Sequence, residues 1–364
     1  MYDLTALIRD PDTVAALRAA IYDDAPVTRL RDAKIKVTAR CNLRCAFCPT
    51  WRMSDPVELS TAELLRTIDD LAALDCRKVH LSGGEPTLRA DLPAIVAHAA
   101  ERGMRVALTT NGTLLTEELA AALLAAGAHS VAVSLDDASP AAHDRLRGVR
   151  GAFKRTLRGL KNLARTKKRL KAKTRLRVNM VLTQHNYHAY PEVLALAGAL
   201  GATDVTPLPV DEGGRSKNRL LGWQLREYND AVAPAVAALR AQFGFAAAPQ
   251  LIYPFGQHGD DLHNAVAAEY ARGYYRDHLC YAPWLTTLIA GDGGVWPCCM
   301  SRGKIPPLGN VRETSFQRLF AGEAYHDFRR RLRETRFPLC RRCDNYLAEN
   351  NLLASALRVR EEGG

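Results

Sequence analysis

The chain has 364 residues, 47% of them hydrophobic and 24% charged, with a formal net charge of +11. Such a composition excludes a disordered or low-complexity chain, and the length allows a core large enough to need no disulfide staples. No apolar run approaches the ~18 residues that cross a bilayer.

The opening "MYDLTALIRDPDTVAALRAAIYDD" lacks the basic start and cleavage site of a secretory signal. The expected location is the cytoplasm, where thiols stay reduced. The basic runs 165–177 and 329–343 show no interleaved aromatics of the kind that stack bases and no nucleic-acid recognition module. They read as solvated helix ends, or as a field drawing in an anionic substrate or acidic partner.

From Lys34 the sequence alternates β-type and helical runs. "KIKVTA" (34–39), "KVHLSG" (78–83), "RVALTTNG" (105–112), "SVAVSLD" (130–136), "LRVNMVLT" (176–183) and "ATDVTPLPV" (202–210) are predicted strands. Helical period fills 60–74, 92–103, 116–127, 151–166 and 190–201, with a Ser60–Thr61 start and a Gly103 stop. Six strands in this alternation imply an α/β fold, a partial (β/α)6 barrel with right-handed crossovers. Chemistry in such folds gathers at the C-terminal strand ends. Three cysteines follow the first strand, "SGGEPT" ends the second, "TTNG" the third and "SLDD" the fourth. Every conspicuous polar motif is therefore expected at one mouth.

After Val210 the pattern changes. Residues 211–222 read as a loop, 223–243 as a helix and 246–259 as irregular chain; from Asp277 the sequence is short-stranded and cysteine-bearing. The expected organisation is a helical segment over 1–32, the barrel over 33–212, a connecting helical region over 213–276 and a small α+β cluster-binding domain over 277–364.

Cys41, Cys45 and Cys48 stand in a C-x3-C-x2-C spacing within "TARCNLRCAFCPTW". Soft thiolates bind zinc or iron–sulfur clusters. Structural zinc sites close with four ligands, and no fourth Cys or His lies nearby in sequence. Three thiolates on a cubane cluster leave one iron open to a substrate or cosubstrate. A non-catalytic zinc scaffold is the competing reading.

The triplet, placed after the first strand of a β/α barrel, resembles the radical S-adenosylmethionine (SAM) enzymes. The resemblance implies a [4Fe–4S] cluster on Cys41, Cys45 and Cys48. Its open iron chelates the SAM amino and carboxylate groups, and its electron cleaves SAM to a 5′-deoxyadenosyl radical. The resemblance places Phe47 near the adenine and Gly83, Gly84, Glu85 and Pro86 at the SAM amino group. It gives Thr109, Asn111, Ser134, Asp136 and Asn179 as further SAM contacts. "HDRLRG" (143–148) matches a segment of the same subfamily, with Arg145 and Arg147 as carboxylate partners. A reductant such as flavodoxin or ferredoxin is implied.

The C-terminal cysteines resemble the SPASM/twitch extension of these enzymes. Only one C-x2-C pair is present at 340–343, which matches the twitch form. The resemblance implies one auxiliary [4Fe–4S] cluster on Cys280, Cys298, Cys340 and Cys343. A four-cysteine zinc site is the alternative. Cys299 is an alternative ligand to Cys298 or a free thiol able to donate hydrogen. Cys76, ahead of the second strand, reads as structural.

The leading expectation for the reaction is dehydrogenation or epimerisation of a hydroxylated small molecule in specialised metabolism, such as antibiotic biosynthesis. The substrate would be a sugar, aminocyclitol or nucleoside. The alternative is peptide or protein modification by a thioether or carbon–carbon crosslink. Only about thirty residues precede the first strand, which weighs against a leader-peptide-binding domain.

Overall fold

The computed structural model describes residues 4–53, 57–210, 217–343 and 347–358. The expected loop over 211–222 lies outside them as far as residue 216. The six predicted strands are observed as β1 (Asp32–Thr38), β2 (Lys78–Gly83), β3 (Arg105–Thr110), β4 (Ala128–Ser134), β5 (Arg175–Leu182) and β6 (Asp204–Pro209). They pair in parallel and in sequence order.

The period-two pattern explains how the sheet sits. Ile35, Val37, Val79, Leu81, Val106, Leu108, Val131, Val133, Val178 and Met180 are buried in the main core. They pack with helix residues such as Leu64, Ile68, Ile95, Leu123, Leu160 and Val193. The alternate residues face the concave side of the partial barrel. Helix Thr61–Ala73 starts on a capping box between Ser60 and Glu63, and this double satisfaction of orphan donors fixes where it begins. Helix Ala152–Arg169 buries Phe153, Leu160 and Leu163, and its last turn carries Lys167, Lys168 and Arg169. The first basic run thus begins as a helix C-terminus, where positive charge is stabilised by the helix dipole, and ends in β5.

The sheet does not stop at β1. Beyond it come β7 (Thr286–Ile289), parallel to β1, and β8 (Val295–Trp296), antiparallel to β7, in the order β6-β5-β4-β3-β2-β1-β7-β8. The C-terminal region thereby continues the barrel sheet, with Asp32 opposite Thr286 and Ile35 opposite Ile289. The N-terminal helix Pro11–Tyr22 is tied to it as well, because the Trp284 indole donates to the Ala20 carbonyl at 3.0 Å. The C-terminal region is also more helical than its sequence reading, with helices at Phe316–Ala321, Glu323–Glu334 and Leu347–Arg358. Part of the second basic run is buried there: the Arg329 guanidinium stacks over the Phe320 and Tyr325 rings. No helix among the described residues is long and apolar enough to cross a membrane.

Candidate iron–sulfur site

The cysteine loop leaves β1 and is braced by the segment after β4. Arg44 N donates to the Arg147 carbonyl at 3.0 Å, and Ala46 N to the Leu146 carbonyl at 2.9 Å. The Arg147 guanidinium forms a buried ion pair with Asp136 at 2.7 Å and lies 3.8 Å from Cys45 Sγ. It also sits over the Phe47 ring at 5.9 Å. His143 accepts from Asp136 N at 3.3 Å and is held near pKa 3, by burial first and then by Arg147. Asp144 accepts from Gly151 N and Phe153 N, capping helix Ala152–Arg169. Gly148 has φ +68°, and a Cβ there would lie 2.2 Å from the Arg44 carbonyl. Each conspicuous residue of "HDRLRG" except Arg145 therefore supports the cysteine loop or its surroundings. Arg145 is exposed, with Asp137 as an electrostatic neighbour.

The Gly-Gly-Glu-Pro turn closes against the start of the same loop. Gly84 N donates to the Thr38 carbonyl and Glu85 N to the Arg40 carbonyl, both at 2.8 Å. A Cβ on Gly83 would lie 2.3 Å from the Thr38 carbonyl, and one on Gly84 2.1 Å from the Arg40 carbonyl. The glycines are needed for backbone-to-backbone approach. Glu85 is fully buried, and its carboxylate accepts from Thr87 N, Thr87 Oγ1, Thr110 Oγ1 and Asn111 N at 2.6–3.0 Å. It thus bolts β2 to β3, and what the turn leaves to a ligand is its backbone. Pro86 is buried and opens a short 3-10 turn. Asn111 is similarly engaged: its side chain bonds Asn42 Oδ1 at 2.8 Å and accepts from Thr113. Asn42, inside the cysteine motif, was not singled out from sequence, and it links the first and third strand ends. Asp136 is likewise held, by Arg147 and by Val181 N at 3.0 Å.

Thr109 accepts or donates to His80 Nε2 at 2.8 Å. Ser134 and Asn179 are register partners on neighbouring strands. Phe47 packs with Leu43, Cys41, Cys45 and Cys48 in a small apolar cluster. Burial pushes the Cys45 thiol up to about 11 and raises Cys41. Loading a metal must therefore displace protons.

The second set gathers Cys280, Cys298, Cys299, Cys340 and Cys343 around Ala271, Tyr275 and Met300. The β7–β8 hairpin, with Leu288 opposite Trp296, carries "GGVWPC" as its sequence predicts. Cys298 is an electrostatic neighbour of both Cys280 and Cys340. The adjacent Cys299 is a charge neighbour of Cys298, and its Sγ accepts from Lys34 Nζ on β1 at 3.3 Å. Buried Asn350 reaches Cys280 Sγ at 3.9 Å and the Tyr275 hydroxyl at 2.9 Å, and accepts from Tyr281 N. No sequence motif marks Asn350. Cys76 is buried beside β2, donating to the Lys78 carbonyl at 3.3 Å.

All nine cysteines are free thiols, and no group of three His, Cys, Asp or Glu side chains among the described residues is arranged as a metal-ion shell. The fit to clusters rests on donor chemistry. Two separate sets of soft sulfur donors, one of three and one of at least four, share apolar surroundings that suit iron–sulfur ligation.

A parallel barrel bearing an odd thiol triplet at its first strand end defines a class of iron–sulfur enzyme. The chain belongs to the radical SAM superfamily, whose signature spans residues 35–196, followed by an iron–sulfur cluster-binding (SPASM) domain at 280–344. It is 30% identical over 299 residues to the AdoMet-dependent heme synthase of Methanosarcina barkeri, covering 78% of this chain and 80% of that protein. It is 34% identical over 170 residues to the PqqA peptide cyclase of Granulibacter bethesdensis, covering 46% of this chain and 44% of that protein. In fold it is similar to Streptococcus suis SuiB bound to S-adenosylmethionine, with a TM-score of 0.66 at 18% identity over 93% of this chain and 77% of that one. The chain is therefore a radical SAM enzyme with a SAM-binding [4Fe–4S] cluster and an auxiliary iron–sulfur cluster.

These relatives correct the leading expectation for the reaction. A heme synthase and a peptide cyclase stand where a dehydrogenase or epimerase of sugars, aminocyclitols or nucleosides was expected. The physical reason is that the motifs build the radical-forming machinery, which many reactions share.

Proposed function

We propose that this chain is a peptide- or protein-modifying radical SAM enzyme that installs a thioether or carbon–carbon crosslink or matures a side chain. The carrying observation is its 34% identity to a peptide cyclase over 170 residues. In this reading Cys41, Cys45 and Cys48 hold the SAM-ligating cluster, and Cys280, Cys298, Cys340 and Cys343 the auxiliary one. The SAM-ligating cluster, when bound, supplies the electron that cleaves SAM to a 5′-deoxyadenosyl radical. Gly83, Gly84 and Pro86 shape the backbone edge beside SAM, with Phe47, Thr109, Ser134 and Asn179 lining its site. Glu85 and Asn111 fix that edge from behind. Arg147 positions Cys45. Cys299, which accepts from Lys34, is an alternative ligand to Cys298 or a free thiol able to donate hydrogen. The enzyme works in the cytoplasm and draws electrons from a flavodoxin or ferredoxin.

The test is anaerobic reconstitution followed by incubation with SAM, dithionite and synthetic peptides encoded by short reading frames beside the gene. The expected result is 5′-deoxyadenosine together with a peptide that has lost a pair of hydrogens. A second reading, action on a haem precursor, is favoured by the length of the match to the heme synthase. Consumption of a tetrapyrrole with every peptide mass unchanged would replace the first reading by the second.

A further inference from the structure

One hydroxyl at the barrel mouth has its orientation set from below. On β2, Lys78, His80 and Ser82 alternate with Val79 and Leu81 of the core. On β3, Arg105, Ala107 and Thr109 alternate with Val106 and Leu108. His80 and Thr109 therefore share the concave face. The two strands run parallel, with His80 opposite Ala107. Ala107 offers only a methyl group, and the His80 ring leans past it toward the mouth. There its Nε2 lies 2.8 Å from Thr109 Oγ1.

The backbone at this strand end is fixed. The residues after Thr109 are bonded to Glu85, through Thr110 Oγ1 and Asn111 N, both at 2.6 Å. What is left to settle is the Thr109 rotamer. Turning χ1 by one staggered step puts the methyl where the hydroxyl was, with almost no change in shape. Packing alone therefore discriminates weakly between the two. Ala132, the register partner of Thr109 on β4, has no polar side chain to decide it. Among the described residues, the His80 ring is the one group that bonds this hydroxyl. A hydroxyl has one donor and two lone pairs, so the bond leaves it capacity for a ligand. Burial first, and then the cations on the same face, keep His80 neutral. The ring thus brings no charge of its own toward a sulfonium cofactor.

We propose that His80 is a positioning residue for SAM, whose ring turns the Thr109 hydroxyl toward the bound cofactor. This rests on the placement of Thr109 in the SAM site given above.

The test measures SAM affinity by equilibrium dialysis on anaerobically reconstituted protein without reductant. Iron content and thermal midpoint are measured for each variant. His80→Phe keeps a ring and removes its nitrogens. His80→Gln returns a polar nitrogen at a similar reach, and Thr109→Val removes the hydroxyl at nearly constant shape. One hydrogen bond corresponds to about fivefold in affinity. The expected result is SAM binding weakened by about that factor in His80→Phe and in Thr109→Val, with no further loss in the double variant. His80→Gln should bind as wild type does, and iron and thermal midpoint should not change. Weaker binding in Thr109→Val beside unchanged binding in His80→Phe would overturn the role of His80 and leave Thr109 in the SAM site. Losses that add in the double variant, or no recovery in His80→Gln, would do the same. Wild-type affinity in Thr109→Val would remove Thr109 from the SAM site, and this proposal with it. Lower iron or a lower thermal midpoint in His80→Phe would make the ring part of the fold and overturn the proposal as well.

Discussion

The two cysteine sets solve the same chemical problem in opposite ways. Cys41, Cys45 and Cys48 come from one short loop, and that loop is held by backbone bonds to the Leu146 and Arg147 carbonyls and by a buried Arg147–Asp136 pair. Cys280, Cys298 and the Cys340–Cys343 pair come from three segments and pack with Tyr275, Met300 and Asn350, with Arg336 and Lys304 as charged neighbours of Cys340. The contrast teaches where rigidity is placed. The triplet has few ligands and a cationic brace, which suits a cluster that must keep one iron open. The second set has enough ligands to define its own geometry, and burial pushes Cys340 up to about 12.

The contrast is most directly broken by removing ligands. Cys41→Ala is expected to abolish 5′-deoxyadenosine formation, while Cys340→Ala keeps substrate-free SAM cleavage and loses turnover of substrate. Iron should fall in either case from about eight to about four per chain, counting two cubane clusters. Chromatography of the nucleoside and an iron assay check both, and equal losses of SAM cleavage would erase the distinction drawn between the sets. Arg147→Ala comes next. Leaving Asp136 buried without its partner should cost about 3–5 kcal/mol of stability. It should also weaken loading of the triplet by about 10–100-fold, as loss of a supporting contact does. Denaturant unfolding and cluster spectra read these out, with the auxiliary cluster expected to be spared.

Gly148→Ala is milder. The left-handed φ and the Cβ placed against the Arg44 carbonyl should cost about 1–3 kcal/mol. The loss should come with slower incorporation of iron at the triplet alone, followed by spectroscopic titration. The smallest effect lies on the seam between the regions, at Asp32. Burial pushes its pKa from 3.8 up to about 6, against the attraction of Lys78 and Lys34. The folded state thus holds this proton more tightly than the unfolded chain. Its contribution is fully present below pH 3.8 and is lost as pH rises through about 6. Above that pH, Asp32→Asn should be more stable than wild type, with the gap closing in acid. An advantage that does not shrink on acidification would place the effect in packing instead.

What could be read from sequence was what is local. The six strands follow from β-branched runs separated by helical period, and the observed strand ends lie within a few residues of the expected ones. The triplet and the Gly-Gly-Glu-Pro turn are short motifs whose position after a strand fixes where they point. The rest depends on pairings distant in sequence. β7 pairs with β1, some 250 residues apart, and nothing in "TTLI" announces its partner. Glu85 and Asn111 were assigned to SAM from their positions, whereas the structure has their side chains occupied by Thr110, Thr87, Asn42 and Thr113.

The pairing of β7 with β1 also bears on biosynthesis. Until residues 286–289 leave the ribosome, one edge of β1 has no partner, and that edge runs beside the cysteine loop. An unpaired strand edge is a template for association between chains, and late closure of a sheet prolongs that exposure. The segment that carries the auxiliary thiols is therefore also the clasp of the barrel. A chain cut before β7 would keep every motif of the radical core and still present an open edge to its neighbours, so aggregation is the expected fate of the isolated core.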